Sequence, residues 1–335
     1  MLLLLILADD FTGALDTGVQ FAACGIPTRV VVGEQVDFAA NDAAVLVVDT
    51  ETRHLPAAEA YAVIAKLTRE AMSAGVFSIY KKTDSALRGN IGAELSALLK
   101  TSGERQLPFL PAFPQIDRID PFEPVRHARV TELIGEQTDV PAHSFPTLKE
   151  GEAVPEQEGI LVFDAGSLDD LASTGRALFQ NGKPRLMAGC AGFAALLPDL
   201  MKMTERRTVT MPKLDPRLLV VCGSVNSITL RQLDVAEQNG FSRLRLTPRQ
   251  KLDPGYWESE NGKEALQGIN EMLAANPRCI IETNDEGGNQ PTADYAAARG
   301  LDLEGMRVGI ASSIGHMLGK LFTSPALGTL LLTGG

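Results

Sequence analysis

Two short segments combine acids and bases in a pattern that a plain solvated surface does not need. Lys81-Lys82-Thr83-Asp84-Ser85-Ala86-Leu87-Arg88-Gly89-Asn90 places three cations around one carboxylate. Ala8-Asp9-Asp10-Phe11-Thr12-Gly13 places two adjacent carboxylates ahead of small residues. The two lysines and Arg88 supply charge for an anion. Asp84 supplies an acceptor that could orient or deprotonate a hydroxyl. Asp9 and Asp10 point in different directions in any extended geometry. One could take a substrate proton while the other orients a hydroxyl or a metal. The plainer reading of the pair is an aspartate N-cap with a solvated neighbour. The two corners together favour a ligand site.

Both segments need elements to hold them. Leu2–Leu7 is an unbroken apolar run, read as the first strand. Gly75–Tyr80 is read as a buried parallel strand, and Ile91–Leu99 as a helix. Each charged corner thus stands where a strand hands over to a helix, the place where open α/β sheets bind ligands. Further alternation follows. A helix is expected over Thr17–Cys24, strands over Pro27–Val32 and Ala43–Asp49, and a helix over Pro56–Ala74. Thr50-Glu51-Thr52-Arg53-His54 forms a polar loop at a strand end. Leu107–Pro114 reads as a strand ending in prolines. Residues 115–159 read as irregular, and a strand and helix follow over Ile160–Phe179. Strand and helix in alternation imply right-handed βαβ units and a mostly parallel sheet.

The 335 residues fit two domains better than one core. The division expected is a domain over 1–200, a proline-containing linker over 201–216 and a second domain over 217–335. The expected class is α/β, with each domain a mostly parallel sheet flanked by helices and an interdomain cleft. The second domain opens on the strand Leu218–Cys222, which meets a helix through Gly223-Ser224-Val225-Asn226-Ser227. Amides and hydroxyls there suit a phosphate or ribose, or cap a helix and do nothing more.

A formal charge of −11 disfavours nucleic acid as a partner. Four cysteines without a CxxC pair give no zinc or redox motif, and no metal ligand set is expected from the histidines either. The initial apolar run lacks a basic flank and is too short for a membrane span, so a cytoplasmic protein is expected. No GxGxxG follows the first strand, which argues against a dehydrogenase. A binding protein without catalysis would explain an acid pocket but not the paired carboxylates.

LADDFTGALDTG, KKTDSALRGNIGAEL, LPAFP, MAGCAGFA, CGSVNSIT and the terminal LLLTGG occur in the order seen in the four-carbon acid sugar kinases, which the chain resembles over nearly its whole length. The resemblance implies ATP-dependent phosphorylation of the 4-hydroxyl of a sugar acid such as D-threonate, D-erythronate or 3-oxo-tetronate, with the D-threonate branch the most similar. It implies a sugar-acid site of Asp9, Arg53, Lys81, Lys82, Thr83, Asp84, Ser85 and Arg88, with Asp9, Asp10 and Asp84 the candidates for catalysis. ATP would meet Ser224, Asn226, Ser227, Thr333, Gly334 and Gly335, and would bring Mg²⁺ with it. A homodimer is compatible with this reading. The chain departs from the family in the short spacing between Pro114 and Asp120, where a glycine-rich segment is usual. The family also continues beyond the TGG motif, so an omitted segment near Ile119 and a continuation past Gly335 are expected.

Overall fold

The computed structural model describes residues 2–38, 42–114, 129–203, 208–210 and 213–334. The expectations at Ile119, Asp120 and Gly335 lie outside the described residues. The chain divides into two compact units, Met1–Thr210 and Met211–Gly335.

The first unit contains β1 (Leu4–Ala8), α1 (Phe11–Ala22), β2 (Thr28–Val32), β3 (Val45–Asp49), α2 (Ala57–Ser73), β4 (Ile79–Lys82), α3 (Ile91–Ser102) and β5 (Gln106–Leu110). It continues with α4 (Val130–Gln137), β6 (Ala142–Phe145), β7 (Gly159–Phe163), α5 (Leu168–Phe179), β8 (Leu186–Gly189), α6 (Ala191–Ala194) and α7 (Leu197–Leu200). Among the described residues its strands form one sheet in the order β2-β3-β1-β4-β8-β5-β7-β6, and every pair is parallel.

Parallel strands covered on both faces read as continuous apolar runs. All five residues of β1, β3 and β7 are buried accordingly. Within β1 the side chains alternate between two cores. Leu5 and Leu7 join the core under α2 and α3, while Leu4, Ile6 and Ala8 join the core under α1, α5 and α6. Each such leucine or isoleucine, fully buried, contributes roughly 1.5–3 kcal/mol.

The structure departs from the sequence expectation most at three places. First, α1 begins at Phe11, because Asp10 caps it by accepting from Gly13 N at 3.0 Å. The buried face Ala14, Thr17, Gly18 and Phe21 has helical spacing from that start. Second, β4 begins at Ile79; Phe77 is exposed, and Lys81 and Lys82 belong to the strand. Third, the stretch read as irregular holds α4 and the edge strand β6. The alternation signal is weak there, since β6 is only half-buried and α4 buries just Leu133 and Ile134.

The second unit contains β9 (Leu218–Cys222), α8 (Ser227–Gln238), β10 (Ser242–Arg245), α9 (Pro248–Leu252), α10 (Glu260–Ala275), β11 (Arg278–Glu282), α11 (Gln290–Ala297), α12 (Leu303–Leu321) and β12 (Thr329–Thr333). Its described strands form a parallel sheet in the order β10-β11-β9-β12. The main core includes Leu219, Val221, Trp257, Ile269, Cys279, Ile281, Met317 and Leu321. Trp257 lies in a short 3₁₀ turn (Tyr256–Glu258), and its indole donates to Ser313 Oγ at 2.8 Å. No described helix is long and apolar enough to cross a membrane.

Candidate active site

The first sheet reverses direction of growth at β1. The chain leaves β1 for β2 and β3 on one side, then places β4 on the other. A crevice at the carboxyl ends of such strands is the general ligand position in open α/β sheets. Asp9 and Asp10 follow β1, Thr50 to Arg53 follow β3, and Thr83 and Asp84 follow β4.

Arg53 organises the crevice. Its guanidinium donates from Nε to Asp9 Oδ2 at 2.7 Å. Both terminal nitrogens donate to Asp10, Nη1 to Oδ2 at 2.8 Å and Nη2 to Oδ1 at 2.6 Å. Nη2 also lies 3.6 Å from Asp84 Oδ1. Three carboxylates from two strand ends therefore converge on one fork, the geometry for which arginine is suited. Burial opposes the Arg53 charge, but the Asp9 hydrogen bond and the charges of Asp9, Asp10 and Asp84 outweigh it, and the guanidinium pKa rises further. The candidate catalytic aspartates are thus brought together, and the residue expected to hold substrate holds them.

Asp84 has a second clamp. Leu87, with a left-handed φ of 59°, turns the chain back so that Arg88 returns to Asp84. Arg88 Nε and Nη2 donate to its two oxygens at 2.7 and 3.1 Å, and Arg88 N donates at 3.1 Å. Burial raises the Asp84 pKa, but the Arg88 hydrogen bond and the Arg53 and Arg88 charges lower it more, to about 2. Such a carboxylate accepts hydrogen bonds well and takes protons poorly.

The adjacent lysines part company. Lys81 registers with Leu7 and Lys82 with Ala8, so strand alternation sends them to opposite faces. Lys81 goes under α3, fully buried, with Nζ 2.7 Å from Glu94 Oε2 and donating to the Leu7 and Lys82 carbonyls at 3.2 and 2.8 Å. It is spent on structure and does not face an incoming anion. Lys82 goes under α1. The residue is 4% exposed; no hydrogen bond or ion pair within 4 Å is seen for its ammonium among the described residues, and its charge acts on the carboxylate of Asp16 in α1. A Cβ at Gly13 would lie 2.5 Å from Asp10 Oδ1 and 2.7 Å from Lys82 Nζ. Glycine in the first turn of α1 is therefore what admits the ammonium. A largely buried cation without a hydrogen-bonded anion is costly, and a ligand carboxylate would supply one.

Thr83 is fully buried and its hydroxyl lacks a partner among the described residues, as does Asp9 Oδ1. Ser85 is half-buried beside them. His54 is exposed next to Arg53, His143 packs on Phe145, and His316 is exposed on α12. No group of three or more metal-ligating side chains stands among the described residues.

Several contributors were not singled out from the sequence. Asn90, in the position of a cap, instead donates to the carbonyls of Thr52 and Leu55 at 2.9 and 2.8 Å, tying the Arg53 loop to α3. Gln137 bonds Gly89 O and Gly92 N, a role invisible in a stretch read as irregular. Asp49 ends β3 fully buried with Oδ2 unpartnered among the described residues. Burial, then the hydrogen bond and charge of Glu51, then Asp10, raise its carboxyl to about 7. The visible signal was a carboxylate closing the apolar run Val45–Val48.

In the second unit, Ser224, Asn226, Ser227, Thr333 and Gly334 gather at the ends of β9 and β12. Asn226 caps α8, accepting from Ile228 N at 2.8 Å, and its own amide donates to Ser224 Oγ at 3.2 Å. Asn284 donates to Ser224 O at 2.9 Å, and Gly223 N to Thr333 O at 2.9 Å. Gly334 has φ 93°, and a Cβ there would run into the Ser224 amide. Asn226 and Ser227 are exposed.

Comparison with known proteins places this architecture. The family model described as "Sugar-binding N-terminal domain" matches residues 4–119 and 118–197. A D-threonate kinase of Salmonella typhimurium (strain LT2) is 27% identical over 99% of this chain and 84% of its own. A D-erythronate kinase of Heliobacterium modesticaldum is 28% identical over 78% of this chain and 66% of its own. A solved protein from Salmonella typhimurium LT2 shares the fold, with TM-score 0.76 and 19% identity over 100% of this chain and 86% of that one. The chain belongs to the family of the four-carbon acid sugar kinases, whose amino-terminal part is this sugar-binding domain.

Proposed function

We propose that this protein transfers the γ-phosphoryl group of ATP to the 4-hydroxyl of a four-carbon sugar acid, D-threonate foremost. The carrying observation is Lys82, a largely buried lysine whose ammonium has no hydrogen bond or close ion pair among the described residues and only the charge of Asp16 acting on it, in the same strand-end crevice as an arginine that gathers three carboxylates. The substrate carboxylate completes Lys82. The hydroxyls meet Asp9, Asp10, Asp84, Thr83 and Ser85, of which Thr83 Oγ1 and Asp9 Oδ1 still have bonding capacity.

Phosphoryl transfer asks mainly for positioning and charge neutralisation. Asp84, locked by Arg53 and Arg88, orients. Asp9, bound through one oxygen only, is assigned to receive the hydroxyl proton as the O–P bond forms and ADP leaves. ATP enters as its magnesium complex, a substrate in its own right, and meets Ser224, Asn226, Ser227, Thr333 and Gly334. Arg53 holds the aspartates in register throughout.

A coupled ADP-release assay over D-threonate, D-erythronate and 3-oxo-tetronate tests the reading. ADP release dependent on one of these acids is expected, with D-threonate giving the highest kcat/KM. Preference for another of the three would move the substrate within the family. A thermal shift with the acid and none with ATP would favour a non-catalytic binding protein instead.

A further inference from the structure

Under the site lies a second charged cluster with no place in the proposed chemistry. The Lys81 ammonium directs its donors at Glu94 on α3, at Leu7 O on β1 and at Lys82 O on β4. Two of these anchors adjoin ligand positions. Leu7 is two residues before Asp9, and Lys82 is itself the cation proposed to meet the substrate carboxylate. Glu94 is 1% exposed, and its Oε1 has no partner among the described residues. Register places Asp9 and Thr83 one step beyond the Leu7–Lys81 and Ala8–Lys82 pairs, on the Glu94 side of the sheet. Asp9 Oδ1, Thr83 Oγ1 and Glu94 Oε1 are thus three buried, unpartnered oxygens around the same strand ends.

We propose that the buried Lys81–Glu94 pair is a positioning device for the sugar-acid site: Glu94 holds the Lys81 charge so that Asp9 stays directed at Arg53, while Lys81 fixes the ends of β1 and β4. The inference rests on Asp9 and Lys82 being sugar-acid ligands. The electrostatics follow from burial. In a low-dielectric interior the nearest anions compete for a cation. Burial raises the Glu94 carboxyl; the Lys81 charge lowers it, the negative charge of Asp9 raises it, and hydrogen bonds from Lys81 and Thr52 lower it, so Glu94 and Asp9 are electrostatic neighbours. With Glu94 neutral, the Lys81 ammonium has Asp9 as its remaining carboxylate neighbour and draws it from the guanidinium. With both charges gone, the strand ends lose their common tie.

The test uses Glu94→Gln, the double variant Lys81→Met/Glu94→Leu and the control Asp9→Asn. Calorimetry gives Kd for D-threonate and for ATP separately. Glu94→Gln is expected to weaken D-threonate binding at least tenfold while the ATP Kd stays within twofold. A purely structural pair would lower Tm and leave both constants unchanged, and that result overturns the proposal. Should Glu94→Gln not fold, the double variant is read by the same two outcomes. Asp9→Asn separates the levels. If it binds and turns over D-threonate normally, the site reading itself fails. If it is impaired while the Glu94 variants bind normally, only the positioning role fails.

Discussion

Two strand-to-helix corners carry the candidate ligand residues, and they are built in opposite ways. In the first unit the corner is charged and buried. Asp9, Lys82 and Asp84 are each at most 6% exposed, and Arg53, Arg88 and three aspartates hold one another. In the second unit the corner is neutral and open. Short hydroxyls and amides bond each other around Ser224 and the exposed cap of α8. The contrast fits the proposed ligands. A small sugar acid offers one carboxylate and a few hydroxyls, so selection requires charge in a low-dielectric site. A nucleotide arrives with its charge partly neutralised by magnesium, and helix-end amides and small residues suffice to seat it.

Breaking the charged corner should therefore have the largest effect. Arg53→Ala leaves three carboxylates facing one another without their common cation. Loss of one partner from a buried network costs about 3–5 kcal/mol. A stability loss of that order, seen as a lower urea midpoint, and loss of D-threonate turnover are expected, with ATP binding by the folded fraction retained. Urea melts and calorimetry check this, and a wild-type-like melt would refute the hub role of Arg53.

Lys82→Met should separate function from stability. The loss of one charge-assisted contact, about 1.5–3 kcal/mol, raises the sugar-acid KM roughly tenfold to a hundredfold. Stability should change little, because the methionine removes a buried ammonium without a hydrogen bond while Asp16 loses a favourable charge neighbour. Steady-state kinetics beside a thermal melt would show the split. A destabilised protein with normal KM would count against Lys82 as the anion ligand.

Asp49→Asn sharpens the comparison through pH. The folded protein keeps a proton on Asp49 up to about pH 7, whereas the unfolded chain releases it near the usual carboxylate value of 3.8. Folded stability therefore falls as pH rises through that window. The amide removes this slope and should stabilise by about 2 kcal/mol at pH 8, discounted for solvent access, and by little at pH 4. Equal gains at both pH values would show that Asp49 does not titrate there.

The open corner should respond least. Asn226→Ala removes a helix cap and should cost about 1 kcal/mol, with a rise in the ATP KM and none in that for D-threonate. A change in the sugar-acid KM alone would reverse the assignment of the two corners.

Much of this was legible in the chain. The apolar runs of β1 and β3 follow from the need to bury both faces of a parallel strand, and the motifs at 9–10, 81–90 and 224–227 marked the corners. Asp10 shows that the cap and the site readings were compatible: one carboxylate caps α1 and also receives the Arg53 fork.

Local order determines which residues end a strand, because burial periodicity and turn chemistry act over a few neighbours. It does not determine which face each side chain meets or which charges become partners. Lys81 and Lys82 are equivalent in sequence; a one-residue step in a pleated strand pairs one with Glu94 under α3 and sends the other to the α1 face. Arg53 meets Asp9 and Asp10 across more than forty residues, and Glu94 meets Lys81 only because α3 packs on that face of the sheet. Those pairings depend on register and helix placement, which only tertiary packing sets.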